Sequence, residues 1–121
     1  MSQTIDIQRV YDLRPSVGGT VLVDRVWPRG IKKERLGAGL WLKEIGPSAE
    51  LRKWFGHRPE RWEEFRRRYR MELDQPQQRE LLGQLIELAE RGPLTLLYGA
   101  RDTERNQAVV LQELLEERLR S

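Results

Sequence analysis

Two short apolar runs constrain this chain more than any other feature. Thr20-Val21-Leu22-Val23-Asp24 and Leu94-Thr95-Leu96-Leu97-Tyr98 are each rich in β-branched and aliphatic residues and are almost uninterrupted by polar ones. That is the pattern of a strand covered on both faces, and strands of this kind belong to parallel sheets flanked by other layers. A weaker alternating segment over residues 4–10, with Ile5, Ile7 and Val10 among polar neighbours, reads as a first strand. Residues 40–45 read as a further strand, closed by Gly46-Pro47. Arg14-Pro15-Ser16-Val17-Gly18-Gly19 is a turn, Trp27-Pro28-Arg29-Gly30 stops the first apolar run, and residues 32–36 read as a basic loop.

The long stretch between the two runs is helical in pattern. Ser48 is a good N-cap with Glu50 in the first turn, and Gly56 closes a short helix at about Phe55. Pro59 sits where a first helical residue belongs, followed by an aromatic stripe of Trp62, Phe65, Tyr69 and Leu73. Pro76 begins another helix whose stripe is Leu81, Leu82, Leu85, Leu88 and Ala89, ended by Gly92-Pro93. After the second apolar run, Asp102 or Thr103 is placed to cap a last helix carrying Leu111, Leu114, Leu115 and Leu119. Strands alternating with amphipathic helices predict an α/β fold: a single domain with a small, mostly parallel sheet and flanking helices in Rossmann-like layers. A length of 121 residues fits that single domain.

Composition narrows the function classes. With no cysteine there is no disulfide framework, no thiolate metal ligation and no cysteine nucleophile. A lone His57 gives no histidine-rich metal site, so neither metal nor cofactor is expected. No apolar run approaches the roughly 20 residues of a membrane span. The opening segment lacks the basic and apolar regions of a signal peptide, so the expectation is a cytoplasmic protein without a membrane partner. Residues 1–70 hold 16 Lys and Arg against 9 Asp and Glu, whereas residues 71–121 hold 6 against 10. Of the 22 basic residues 18 are Arg, whose planar fork suits phosphate or carboxylate. An anionic small molecule or a nucleic acid is the partner this balance suits, although mixed Arg and Glu helices also form simple solvated faces. Nothing in the sequence sets an oligomeric state.

Ligands of open α/β sheets bind beyond the carboxyl ends of the strands. Both strong strands end in polar residues there: Asp24-Arg25 followed by Trp27, Arg29 and Gly30, and Tyr98-Gly99-Ala100-Arg101-Asp102. If the strands are parallel, these ends meet at one pole beside a helix N-terminus that favours an anion. Arg25, Arg29 and Arg101 are then candidates to hold a phosphate or carboxylate, and Asp24 or Asp102 to act as a general base. Gly99 admits close backbone approach, Asn106 can hydrogen-bond a ligand, and His57 is a candidate proton shuttle. Each has a plainer alternative: Asp24–Arg25 as an ion pair, Asp102 as a helix cap, His57 as a capping residue, and the tryptophans as packing.

The stretch Val21-Leu22-Val23-Asp24-Arg25-Val26-Trp27-Pro28-Arg29-Gly30 is more specific than that. Together with Glu50-Leu51-Arg52-Lys53-Trp54-Phe55-Gly56-His57, and with residues 96–102 followed by Asn106-Gln107-Ala108, it resembles the YeaO-like branch of the domain-of-unknown-function family 488. The resemblance implies a small bacterial or archaeal α/β protein and carries no assigned reaction. It brings Arg52, Trp54 and His57 into the candidate set. Longer members of that family have a Cys-His-Arg run where this chain has Asn106-Gln107-Ala108, so no Cys- or His-based mechanism carries over. The expectation is a small enzyme acting on a phosphorylated or otherwise anionic ligand, a nucleotide or nucleic-acid component. The alternative is a non-enzymatic nucleic-acid or protein-binding module that uses the basic N-terminal half.

Overall fold

The computed structural model describes residues 5–14, 18–36 and 39–120. Thr4 of the expected first strand and Pro15-Ser16-Val17 of the expected turn lie outside them. The strands are β1 (Ile5–Arg9), β2 (Gly19–Leu22), β3 (Leu40–Trp41) and β4 (Leu94–Tyr98). The helices are α1 (Lys33–Leu36), α2 (Ala49–Phe55), α3 (Trp62–Leu73), α4 (Pro76–Arg91) and α5 (Gln107–Arg120). Single 3-10 turns lie at Val10–Asp12, Lys43–Ile45 and Pro59–Arg61.

All strand pairs among the described residues are parallel, in the order β1-β4-β2-β3. The last strand in sequence therefore inserts between the first two, with Ile7 opposite Leu96 and Val21 opposite Leu96 on its other side. Central placement explains why every residue of β4 is buried. The expected α/β architecture with a parallel sheet and flanking helices is the one observed.

The two sheet faces are covered unequally. Ile5, Val21, Val23, Leu94, Leu96 and Tyr98 face a large core shared with α2, α3, α4 and α5. Leu22 and Leu97 face the other way, into a thin layer made by Val10, Leu13, Trp27, Ile31 and Leu36. Strand periodicity of two sends successive residues to opposite faces, so one uninterrupted apolar run serves both layers.

Two local expectations differ from the structure. Residues 32–36 contain the one-turn helix α1 rather than a loop, with Leu36 on the apolar side of the thin layer. The strand expected over residues 40–45 ends at Trp41. Leu42 N–H donates to Leu22 O at 3.0 Å, and beyond it β2 has no further residues to pair with, so the chain turns and buries Ile45 in the core.

Helix α2 shows how sequence sets local structure and how that structure is anchored. Ser48 Oγ accepts from Leu51 N–H at 3.1 Å, and Gly56 closes the helix in the left-handed region at φ 52°. The cap is itself held by α3: Ser48 Oγ donates to Glu72 Oε2 at 2.5 Å and Ser48 N–H to Glu72 Oε1 at 2.9 Å. One serine thus caps the start of α2 and fixes it against α3. Ser48→Ala should cost about 2–5 kcal/mol, the sum expected for a lost cap and a lost hydrogen bond to a carboxylate. Urea denaturation should show a lower midpoint at unchanged slope.

Candidate functional site

Beyond the carboxyl ends of the central strands the chain leaves the sheet in opposite directions. After β2 it enters the thin layer through Trp27 and Ile31, whereas after β4 it enters α5 in the thick layer. Neighbouring strands whose continuations diverge leave a crevice between them, the usual ligand position in open α/β sheets. Here the crevice has two adjoining parts. One, of about 300 Å³, is lined by Tyr11, Asp24, Arg25, Val26, Trp27, Pro28 and Gly99. The other, of about 280 Å³, is lined by Ala49, Lys53, Phe55, Phe65, Arg105 and Asn106. Pro47, Arg52, His57, Ala100 and Gln107 line both.

Asp24 occupies the join between β2, β4 and α5. Its Oδ2 accepts from Gly99 N–H at 2.9 Å, and its Oδ1 accepts from the Gln107 side-chain amide. A side chain at residue 99 would place Cβ 2.9 Å from that same carboxylate oxygen, so the close approach requires glycine. Burial pushes the Asp24 carboxyl up from 3.8 to about 6, against the pull of the Gly99 N–H, the Gln107 amide and the Arg52 charge. Each carboxylate oxygen retains acceptor capacity beyond these bonds.

The cations around the crevice fall into two kinds. Arg25 is consumed by the protein: Nε donates to Pro47 O at 3.0 Å, Nη2 donates to Gly46 O at 2.8 Å, and Nη1 pairs with Glu44 at 3.6 Å. It shapes the wall, assisted by buried Tyr69, whose hydroxyl donates to Ile45 O at 2.7 Å. Arg52 and Lys53 lie on consecutive positions of α2, are exposed, and form no ion pair with another described residue. Arg105 is braced by Asp102 at 3.4 Å. His57 has a positive φ of 57°, a conformation uncommon for a residue with a side chain. It follows the left-handed Gly56 and carries its imidazole to the crevice wall, 6.2 Å from the Phe55 ring between centroids.

The structure therefore brings Asp24, Arg25, Trp27, Arg52, His57, Gly99 and Asn106 to one crevice. Asn106 is buried with its side chain engaged: Oδ1 accepts from Val109 N–H at 3.2 Å and Nδ2 donates to Asp102 O at 2.9 Å, so this residue caps α5. Asp102 closes the preceding turn instead, accepting from the N–H groups of Glu104 and Arg105. Those bonds hold its carboxyl below the ordinary value. Tyr98 lies on the β1 side of β4, with Arg9, Asp12 and Arg14. Arg29, Gly30 and Arg101 are outside the lining of both parts, each within two residues of a lining residue. Trp54 is held by two guanidinium groups, with Arg61 at 5.1 Å and Arg68 at 4.2 Å from its ring. Sequence reasoning did not select Gln107, Lys53 or Arg105. Gln107 follows the cap of the final helix, and a position fixed there was its available signal.

A family model described as the inactive DUF488-N3 subclade matches residues 4–121. The chain is 46% identical over 112 residues to Uncharacterized protein YeaO of Escherichia coli K12, covering 92% of this chain and 96% of that one. It is 42% identical over 112 residues to Uncharacterized protein Rv3073c of Mycobacterium tuberculosis, covering 92% of each. No solved structure matches it.

The Asp24 environment has a measurable consequence. Its folded pKa lies above the unfolded value, so the native state keeps a proton that the unfolded chain releases between 3.8 and about 6. Its contribution makes stability fall as pH rises through that window and level off above it. Asp24→Asn abolishes the charge, keeps an acceptor for Gly99 N–H, and lets a turned Gln107 amide supply its oxygen. Relative to the parent, the variant should gain about 3 kcal/mol near neutral pH and nothing below about pH 3. Chemical denaturation at both pH values checks this; an identical pH slope in parent and variant contradicts it.

Proposed function

The chain belongs to the inactive DUF488-N3 subclade, and from the crevice we propose that it binds a phosphorylated or otherwise anionic ligand, a nucleotide or nucleic-acid component, at the carboxyl ends of its strands. The observation that carries this reading is the pair Arg52 and Lys53. Both face a concave site with an apolar floor of Phe55, Phe65 and Ala49, and neither has an ion-pair partner among the described residues. Cations without ion pairs at the rim and the apolar side chains of Phe55 and Phe65 in the lining suit a ligand with a charged end and an apolar body. Asp24 serves as an acceptor for a ligand hydroxyl or amine, while Arg29 and Arg101 stand just outside.

The word inactive in the family description favours retention of the ligand over its conversion. One observation supports a second reading, in which Asp24 is a general base: its carboxyl sits at about 6, where proton transfer near neutral pH is efficient. Within the basic N-terminal half, the arginines of α3 are already matched by carboxylates. On α3, Arg66 pairs with Glu63 and Glu113, Arg67 and Arg68 with Glu64, and Arg70 with Glu117.

A thermal-shift titration at low salt tests the binding reading with nucleoside monophosphates, sugar phosphates, inorganic phosphate and small carboxylates. Saturable stabilisation by at least one is expected, about 2.7 kcal/mol when ligand reaches roughly 100 times its dissociation constant. Arg52→Ala should weaken that ligand by roughly 10- to 100-fold, as expected for one charge-assisted hydrogen bond, and leave the free protein's melting temperature unchanged. No response to any anion, or equal response in Arg52→Ala, contradicts it.

A further inference from the structure

The exposed surface around the crevice mouth points to the form in which the ligand is presented. Three of the exposed large apolar side chains, Tyr11, Val26 and Trp41, at 36%, 59% and 37%, stand at the crevice mouth. Tyr11 and Val26 line the crevice, and Trp41 stands edge-on to the lining Trp27 with ring centroids 5.1 Å apart. These rings are held in place: Tyr11 Oη donates to Arg29 O at 2.7 Å, Trp41 Nε1 to Asp24 O at 2.7 Å, and Trp27 Nε1 to Ile31 O at 2.6 Å. A rigid aromatic rim around a concave site is costly to leave in water unless it has something to contact.

The charges at the same rim have no ion-pair partner among the described residues. Arg29 follows Pro28, Arg101 follows Ala100, and Lys43 lies 5.6 Å from the Trp41 ring; all three are exposed and none forms an ion pair with another described residue. On α3 the opposite holds, since four arginines there are each matched by glutamate. Self-neutralised arginines on the scaffold and unpaired cations beside exposed rings at the mouth make a surface complementary to an extended anion that carries flat apolar groups.

We propose that the crevice takes its nucleotide from a single-stranded nucleic acid, whose backbone crosses the rim over Arg29, Lys43 and Arg101 while one nucleotide enters between Asp24 and Arg52. This rests on the reading of the crevice given above. A single strand is required because bases in a duplex are stacked and paired, and cannot reach aromatic side chains or a pocket without being extruded. Backbone contacts alone would make binding salt-dependent, and the rim rings add stacking that tolerates any base.

Fluorescence anisotropy with a labelled, mixed-sequence single-stranded oligonucleotide tests this, with nucleoside monophosphates, the matching duplex and poly-glutamate as competitors. The oligonucleotide should bind at least roughly 100-fold more tightly than any monophosphate, with a log–log salt slope of about −2, as expected for three phosphate contacts to a single strand. The double variant Arg29→Glu, Lys43→Glu should lose at least roughly tenfold for the oligonucleotide, keep its affinity for the monophosphate, and melt like the parent. Arg52→Ala should weaken both ligands. An oligonucleotide no tighter than a monophosphate, or indifferent to the double charge reversal, overturns the proposal and leaves the crevice reading standing. Equal competition by duplex or poly-glutamate also overturns it. Oligonucleotide binding that ignores Arg52→Ala removes the crevice from the interaction and overturns both.

Discussion

Three elements that are far apart in sequence meet at one carboxylate. Asp24 follows β2, Gly99 follows β4, and Gln107 begins α5, and the hydrogen bonds among them close the joint where the thin and thick layers part. Without that joint the two central strands would still pair, but their continuations would have no fixed relation to one another. Glycine at position 99 permits it, since any Cβ there would meet the carboxylate. The cost is a charge kept in a partly buried place, visible as the raised carboxyl of Asp24. An apolar or amide residue would close the joint more cheaply, and the carboxylate's place at the crevice wall is what the proposed ligand reading uses.

The remaining polar contacts near the crevice hold its walls. Arg25 and Tyr69 grip the segment from Glu44 to Pro47 from two sides, and Gln78 adds a bond to Glu44 O at 2.9 Å. Ser48 then starts α2 against Glu72 and so sets the direction of Arg52 and Lys53. The stacked ring series of Phe55, Phe65 and Tyr69 carries the same relation through the core, with Phe55 and Phe65 centroids 4.4 Å apart. Division of labour among the arginines follows from this scaffold: those on α3 and at position 25 brace the protein, whereas Arg29, Arg52 and Arg101 form no ion pair among the described residues.

Much of this was legible in the sequence, for identifiable reasons. The apolar runs at β2 and β4, the Ser48 and Gly56 caps of α2, and the aromatic stripe of α3 are local signals that tertiary contacts only reinforced. The polar strand ends identified Asp24 and Gly99 because a parallel sheet brings such ends to one pole. The rest depends on contacts between distant segments. Nothing near Arg25 in sequence says that backbone carbonyls of residues 46 and 47 will take its donors. Asn106 instead of Asp102 caps α5 because the chain spends residues 102–105 on an Asx-type turn first. Periodicity predicts a strand over residues 40–45, but β3 ends at Trp41 because its partner β2 ends at Leu22. Gln107 carries a neutral amide with no motif of its own, and its value comes entirely from lying opposite a buried carboxylate.

The joint at Asp24 is most directly tested by an NMR pH titration that follows the Gly99 backbone amide and the Gln107 side-chain amide in the same samples. Both donate to the same carboxylate, so both resonances should shift together with a common midpoint at about 6. A midpoint at the ordinary value of 3.8, or a Gly99 amide that stays still while Asp24 titrates, would mean that the strand ends and α5 are not joined through this residue.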